Sequence, residues 1–134
     1  MSDELYQARI VALAKSKTGA GKLASPTKSA RRDNPLCGDR VTIDVKVEDG
    51  KIAEIAHQVR GCLLCQASAA ALAGVAVGRD AAAVDELRHD AERAIGRESG
   101  KAHEPFDAFE PVANHKSRHE CVLLPFEALK EALS

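Results

Sequence analysis

Residues 41 to 59 carry the pattern that most limits how this chain can fold. Valine or isoleucine occupies every second position from 41 to 47, with polar residues between them, which predicts a strand that buries one face. Asp49-Gly50 then supplies a two-residue turn of the type that hairpins prefer, and residues 52 to 59 can form the returning strand. The sequence therefore predicts an antiparallel β-hairpin.

The two ends of this hairpin carry residues of the types that bind metals. Cys37-Gly38-Asp39 lies immediately before the first strand, and Gly61-Cys62 lies immediately after the second. Antiparallel pairing brings the start of the first strand beside the end of the second. We therefore expect two thiols and one carboxylate to gather at the same end of the hairpin.

The rest of the chain is predicted to contain four helices and two loops. We predict helices over residues 3–15, 63–77, 80–95 and 122–133. The evidence for them is helical spacing of apolar residues, Ala and Leu content, capping residues and flanking glycines. Residues 16–34 and 97–117 contain prolines and no clear period, so we expect loops there, with Phe106 and Phe109 as anchors in the second. These elements predict an α+β fold.

Two of the cysteines lie at the starts of predicted helices. Pro125 has no amide hydrogen to donate, so we expect it in the first turn of the last helix, with Cys121 at the helix N-terminus. Cys62 directly precedes the helix over 63–77. Unpaired backbone amides and the helix dipole stabilise a thiolate at such positions, so both cysteines should ionise more easily than a free cysteine.

Length and charge limit the possible functions. The chain has 134 residues and no run of Pro, Gly or Ser long enough for an interdomain linker, so we interpret residues 1–134 as one domain. Lys and Arg number 19 against 20 for Asp and Glu, and there are only three Phe and one Tyr, which argues against nucleic-acid binding. Neither a secretory signal nor a membrane-spanning stretch is evident, so we expect a soluble, cytoplasmic protein with no membrane partner.

The four cysteines therefore indicate metal binding or sulfur chemistry, because a reducing cytosol keeps thiols free. Three thiolates and one carboxylate suit a tetrahedral site for zinc or iron, and the candidate ligands are Cys37, Asp39, Cys62 and Cys121. Asp39 is expected to be the weakest ligand, which favours a site that can open or hand over its contents. The cysteines are too widely spaced to form two zinc-finger knuckles, so the fold must form before the site.

Neighbouring residues have simpler interpretations. Cys62 and Cys65 form a C-x-x-C pair, but the βαβ context of a thioredoxin-like motif is missing, and a small buried residue is favoured at Cys65 over a resolving thiol or spare ligand. The five histidines share no ligand spacing. His119 could supply a ligand near Cys121, although a solvent-facing side chain is favoured. Arg118 either holds an anionic sulfur species near Cys121 or is an ordinary surface arginine.

The cysteine motifs and the strands between them resemble the IscU/NifU scaffold family over Asn34 to Leu129. The motifs that carry the likeness are Asn34-Pro35-Leu36-Cys37-Gly38-Asp39, Gly61-Cys62 with Ala67-Ser68, and Arg118 three residues before Cys121. This resemblance implies a small antiparallel sheet with helices packed on one face, and a function in iron–sulfur cluster assembly.

Within that family the chain is most similar to the SufU branch. A long segment separates Cys62 from Cys121, and Glu120 stands where IscU-type scaffolds carry a histidine directly before the last cysteine. The resemblance implies a zinc-bearing protein that relays persulfide sulfur from a cysteine desulfurase, and so a zinc-dependent sulfurtransferase. Cys37 is the preferred sulfur acceptor, because it lies on the loop before the first strand, and Cys121 is the alternative.

Two other functions remain open at this point. The first is an IscU-like scaffold without enzymatic activity, on which iron or a transient [2Fe–2S] cluster is held at the same four residues and passed to downstream carrier proteins. The second is a structural zinc module that binds a partner. The metal content of the protein would separate the first of these from sulfur relay.

Overall fold

Three antiparallel strands in the order β1-β2-β3 form the sheet in the computed structural model, which describes residues 8–35 and 38–134. The strands are β1 (Lys28–Asn34), β2 (Asp39–Glu48) and β3 (Lys51–Arg60). β2 and β3 form the predicted hairpin, in which Val41 lies opposite Val59.

The hairpin turn has the backbone that its sequence requires. Asp49 has φ 54° and Gly50 has φ 76°, so both central residues lie in the left-handed region. Asp-Gly tolerates this conformation, and its twist matches that of the flanking strands. Asp39 and Arg60 consequently end up at the same end of the sheet, as the hairpin prediction required.

Strand β1 corrects the prediction that residues 16–34 form a loop. Its sequence has no apolar alternation, and Asn34 is its only buried residue. It forms because its backbone pairs with β2 along its whole length, from Lys28 opposite Val45 to Asn34 opposite Asp39. A polar edge strand of this kind depends on its neighbour and not on a periodicity of its own, so the sequence carries little signal for it.

Helices cover one face of the sheet, as predicted. They are α1 (Ala8–Ser16), α2 (Leu63–Ala76), α3 (Ala81–Ala94) and α4 (His119–Leu133). α2 and α4 pack on the sheet, α1 packs on α2, and α3 packs on α4. Val41, Ile43 and Val45 of β2 are at most 1 % exposed on the helix side, whereas the residues between them are at least partly exposed. No described helix is long and apolar enough to cross a membrane.

The segment 97–117 is more ordered than the loop prediction implied. It contains two 3₁₀ helices, Phe106–Asn114 and Lys116–Arg118. Phe106 and Phe109 are buried, and the ring centroid of Phe106 lies 5.3 Å from that of Phe126 in α4. These aromatic side chains anchor the segment as expected, and the second 3₁₀ helix runs directly into α4.

Pro125 lies inside α4 and not in its first turn, so that prediction is wrong. The helix begins at His119 instead of residue 122, and the proline cannot donate a hydrogen bond to the carbonyl of Cys121. All residues from 121 to 126 are buried. Burial contributes about 1.5–3 kcal/mol for each large apolar side chain, and together these outweigh the cost of about 3 kcal/mol for an interior proline. Cys121 still lies in the first helical turn.

The outer edge of β3 is covered by two loops. Near its end, the His57 N–H donates to the Gly19 carbonyl at 2.8 Å, and the Gly21 N–H donates to the His57 carbonyl at 2.9 Å. At the other end, Ile52 exchanges hydrogen bonds with Gly78 and Arg79 after α2. These contacts satisfy backbone groups that an open edge would offer to another chain.

His57 is a buried histidine with one unsatisfied nitrogen. It is 5 % exposed, and its Nε2 lies 2.7 Å from the Thr18 carbonyl oxygen, so Nε2 carries the proton of the neutral ring. Nδ1 is buried and has no hydrogen-bond partner among the described residues. Burial lowers the pKa of His57, and the Thr18 carbonyl only partly opposes this effect.

This environment predicts acid sensitivity of the fold. Because the folded chain binds a proton at His57 less readily than the unfolded chain, the contribution to stability is complete above the unfolded pKa of about 6.5 and is lost as the pH falls below it. We expect the urea midpoint of the wild type to fall more steeply between about pH 7.5 and pH 5.5 than that of His57→Phe, which cannot titrate. Equal slopes for the two proteins would contradict this role of His57.

Candidate metal centre

Asp39 begins β2 and turns its carboxylate toward the start of α2. It is 2 % exposed, and its Oδ1 accepts a hydrogen bond from the Cys62 backbone N–H at 3.0 Å. A Cβ added to Gly61 would lie 2.2 Å from the same oxygen, so only glycine leaves room for the carboxylate. Gly61 therefore lets the Asp39 carboxylate come close to the backbone, and Cys62 supplies the N–H that donates to it.

Cys62 and Cys121 come to this carboxylate from two helices. Cys62 is the N-cap of α2 and is half-buried, whereas Cys121 lies in the first turn of α4 and is fully buried. The buried Ser68 hydroxyl of α2 donates to the Val122 carbonyl of α4 at 2.5 Å. This bond fixes the two helices against each other one residue beyond Cys121.

The structure brings three of the four predicted ligands together. One carboxylate oxygen of Asp39 and the sulfurs of Cys62 and Cys121 all lie within 4.8 Å of one another. In a tetrahedral zinc site with Zn–S bonds of about 2.3 Å, two sulfurs lie about 3.8 Å apart, so a small contraction suffices. Two thiols and a carboxylate are also the donor types that zinc and iron accept. The three side chains therefore fit a metal ion with one further ligand.

The fourth predicted ligand, Cys37, lies outside the described residues. Its roles as metal ligand and as sulfur acceptor accordingly stay predictions. Gly38 and Pro35, which flank Leu36-Cys37 in the sequence, line the same surface cavity as Asp39.

The two thiols of the cluster differ in acidity. The pKa of Cys62 is lowered to about 7, chiefly because the Cys121 thiol hydrogen-bonds to its sulfur, with help from the Cys65 and Leu64 backbone N–H groups and against the effect of burial. The pKa of Cys121 is raised, first by this same bond to Cys62 and then by burial and by Asp39. The expectation that both cysteines ionise more easily is therefore confirmed for Cys62 and wrong for Cys121, because two adjacent thiols cannot both give up a proton easily.

Cys65 and His119, which were weighed as additional ligands, and Glu120, which directly precedes Cys121, are not among these converging ligands. Cys65 is 0 % exposed within α2, which agrees with a small buried residue. His119 is 8 % exposed, so the expected solvent-facing side chain is wrong, and its Nε2 faces the Ala113 carbonyl oxygen at 3.3 Å. Glu120 forms an ion pair with Arg97 at 3.4 Å. None of them joins the three converging ligand atoms.

A second group of possible ligands lies on α3 and in the segment that follows it. The side chains of His89, Glu92 and Glu98 converge, although the five histidines share no ligand spacing in the sequence. Only the separation of His89 and Glu92 by three residues on one helix gave a signal. Glu98 hydrogen-bonds to His89 at 2.6 Å and raises its pKa, while Arg88 and Arg93 lie 3.9 Å from Glu92 and Glu98. We interpret this group as an ion-pair network.

The sequence and the fold match a known family. The family model for the NifU-like N terminal domain matches residues 5–133. The chain belongs to the NifU-like N-terminal domain family. This result confirms the resemblance to IscU and NifU scaffolds, and the motifs on which it rested fall within the matched residues.

Relatives of this NifU-like chain include proteins named as scaffolds. It is 31 % identical over 132 residues to the iron–sulfur cluster assembly scaffold protein IscU of Thermotoga maritima, covering 96 % of this chain and 92 % of the relative. It is 28 % identical over 138 residues to the protein of the same name from Streptococcus pyogenes, covering 98 % and 84 %.

Solved structures of similar proteins share the fold. A NifU-like protein (N-terminal) from Brucella abortus has a TM-score of 0.88 at 32 % identity, over 98 % of this chain and 93 % of that chain. An iron–sulfur cluster assembly scaffold protein for the SUF system from Fervidobacterium islandicum has a TM-score of 0.90 at 29 % identity, over 100 % of both chains. The relatives carry both IscU and SUF names, so the SufU branch stays a prediction.

The close approach at Gly61 gives a test of the site. In Gly61→Ala the added methyl group displaces the Asp39 carboxylate, and zinc affinity should fall on the order of 10–100-fold, as for other supports of metal ligands. Gly74→Ala in α2 is the matched control, since its Cβ would make only an ordinary 3.8 Å contact with Thr18. Competition with a chromophoric chelator measures both affinities. Equal affinities for the two variants would show that Asp39 does not bind the metal.

Proposed function

We propose that this NifU-like protein works in iron–sulfur cluster assembly, and that Asp39, Cys62 and Cys121 together with Cys37 hold a metal ion beside a sulfur-accepting thiol. The observation that carries this proposal is the convergence of one carboxylate and two thiols from β2, α2 and α4. These side chains lie far apart in the sequence, and the Asp39 carboxylate is already hydrogen-bonded to the Cys62 backbone.

The cysteine environments favour a SufU-like relay with Cys37 as the acceptor. Cys121 is fully buried, so it is poorly placed to attack an external persulfide. Cys62 is half-buried and hydrogen-bonds with Asp39 and Cys121. Pro35 and Gly38, on either side of the Cys37 segment, are exposed. We therefore propose Cys37, which lies between these two exposed residues in the sequence, as the acceptor.

The proposed transfer is a thiol–persulfide exchange with a cysteine desulfurase. The Cys37 thiolate attacks the outer sulfur of the persulfide on the desulfurase, and a new S–S bond forms on Cys37. The S–S bond of the donor persulfide breaks, and the donor cysteine leaves as a thiolate. The transferred sulfur keeps its oxidation level, so no oxidant or reductant is required.

Zinc, when bound, would keep its cysteine ligands ionised at neutral pH. The chain's own residues do the positioning. Asp39 accepts a hydrogen bond from the Cys62 backbone N–H and thereby holds the end of the hairpin against α2. The buried Ser68 hydroxyl holds α4 at a fixed distance from α2. A carboxylate binds zinc less strongly than a thiolate, so Asp39 is the ligand best suited to exchange.

A second candidate function is an IscU-like scaffold, which the names of the relatives from Thermotoga maritima and Streptococcus pyogenes favour. The same side chains would then hold iron or a [2Fe–2S] cluster as cargo for downstream carrier proteins. Protein purified without oxygen separates the two functions. Stoichiometric zinc without visible absorption supports the relay, whereas iron and sulfide with a visible chromophore support the scaffold.

Sulfur transfer can be tested with single cysteine variants. We expect Cys37→Ser to lose persulfide formation and desulfurase stimulation by at least about tenfold, since its hydroxyl cannot accept sulfur at neutral pH. Cys65→Ser is the control, because Cys65 is buried in α2 and is not among the converging ligands. Mass spectrometry of the protein after reaction with desulfurase and L-cysteine locates the added sulfur.

The Cys37→Ser variant also tests the alternative of a structural zinc module. If Cys37→Ser keeps its circular dichroism spectrum and unfolding midpoint but accepts no sulfur, a purely structural role loses its support. If Cys37→Ser accepts sulfur as well as the wild type, the acceptor is a different cysteine and the proposed transfer is wrong.

A further inference from the structure

The face of the sheet opposite the helices carries a cluster of arginines at the end next to Cys62. Asp33, Arg40 and Arg60 lie directly opposite one another across β1, β2 and β3. Directly paired residues project from the same face of a sheet. Since Arg40 follows the buried Asp39 in β2, this is the solvent face. Arg31, two residues before Asp33, projects from the same face. We name Arg31, Arg40 and Arg60 the arginine corner.

The arginine corner has more positive charge than the fold neutralises. Asp33 is shared by two arginines, with its Oδ1 2.9 Å from Arg40 Nε and its Oδ2 3.9 Å from Arg31 Nε. Arg60 is exposed and makes no ion pair with any residue that the structure describes. In the described part of the chain Asp33 is the only carboxylate that pairs with any of these three guanidinium groups, because the nearby Asp39 is buried and accepts a hydrogen bond from the Cys62 backbone N–H.

The arrangement of Arg40 and Arg60 costs stability. Like charges directly opposite each other in an antiparallel pair are destabilising. Glutamate or glutamine at position 60 would remove the repulsion without disturbing the core, because the side chain faces solvent. The described contacts of the fold therefore do not account for Arg60, whereas a negatively charged partner would.

The arginine corner adjoins the candidate metal centre. Arg40, Arg60 and Asp39 line one surface cavity of about 400 Å³. Pro35 and Gly38, which flank the Cys37 segment in the sequence, line it too. A negatively charged group bound here therefore lies beside the thiols to which sulfur would be delivered.

The geometry points to an acidic segment of a partner protein as the occupant. Neighbouring strands lie about 4.8 Å apart, so the arginines of three strands span about 10 Å, which matches several carboxylates on a surface better than one small anion. Exposed charges of this kind steer and orient an encounter more than they strengthen it. We propose that the arginine corner docks an acidic segment of the protein that delivers sulfur to this site, an inference that rests on the proposed sulfur relay.

A simple acidic probe tests the surface without any desulfurase. Hexaglutamate peptide is titrated into wild type, Arg60→Glu and the control Lys51→Glu, with the arginine Nε–H signals followed by NMR. Lys51 begins the same strand at its far end, and its substitution changes the net charge equally. We expect about tenfold weaker binding for Arg60→Glu only. Equal binding by all three proteins, or equally tight binding of inorganic phosphate or free glutamate by the wild type, overturns the proposal.

The rate of sulfur transfer from the desulfurase tests whether the desulfurase is the partner that docks on the arginine corner. For Arg60→Glu we expect the KM for this protein to rise about tenfold at 0.1 M salt with kcat unchanged, and the effect to shrink toward 1 M salt as the screening length falls from about 10 Å to about 3 Å. The unfolding midpoint should equal or exceed that of the wild type, because the substituted carboxylate faces Arg40. A structural role of Arg60 would instead lower the midpoint.

The peptide titration and the sulfur-transfer assay together distinguish the docking proposal from the proposed sulfur relay. If the wild type accepts sulfur but Arg60→Glu behaves like Lys51→Glu, the docking proposal fails and the relay stands. If the wild type accepts no sulfur from the desulfurase, the relay fails, and with it the sulfur-delivering partner. The peptide arm then still decides whether the arginine corner is an acidic-segment site.

Discussion

The hydrogen bond from the Cys62 backbone N–H to the Asp39 carboxylate joins the start of β2 to the start of α2, and the candidate metal centre depends on it. The bond requires the hairpin register, which places Arg40 opposite Arg60, and it requires a glycine at position 61. α4 is positioned in turn by the bond from Ser68 to the Val122 carbonyl. One close contact between two ends of a hairpin thus holds a carboxylate where two helix-borne thiols can reach it.

Much of this arrangement could be predicted because it follows from short-range patterns. The alternation in β2 and the Asp-Gly turn each carry a local signal, and together they place Asp39 and Cys62 at one end of the hairpin. β1 carried no such signal, because its stability comes from backbone pairing with β2. Pro125 was misplaced because rules for single residues do not include the burial of the residues on either side of it in α4.

The sequence predicted the convergence of Asp39, Cys62 and Cys121 but not the difference in acidity between the two thiols. Helix position alone suggested two easily ionised cysteines, yet Cys62 and Cys121 lie so close that one proton is retained between them. The burial of His119 and its approach to the Ala113 carbonyl arise from the 3₁₀ segment, which the sequence did not predict. The arginine corner likewise appears only when the strand register is known, since its members are distant in the sequence.

The ligand shell of the zinc-loaded protein is the measurement that tests the central claim most directly. X-ray absorption at the zinc edge should find a shell dominated by sulfur at about 2.3 Å with one oxygen at about 2.0–2.2 Å. The sulfur contribution should fall in Cys62→Ser and in Cys121→Ser, and the oxygen contribution should change in Asp39→Ala. A shell of oxygen and nitrogen alone, or a sulfur shell that is unchanged in both serine variants, would contradict a metal held by these residues.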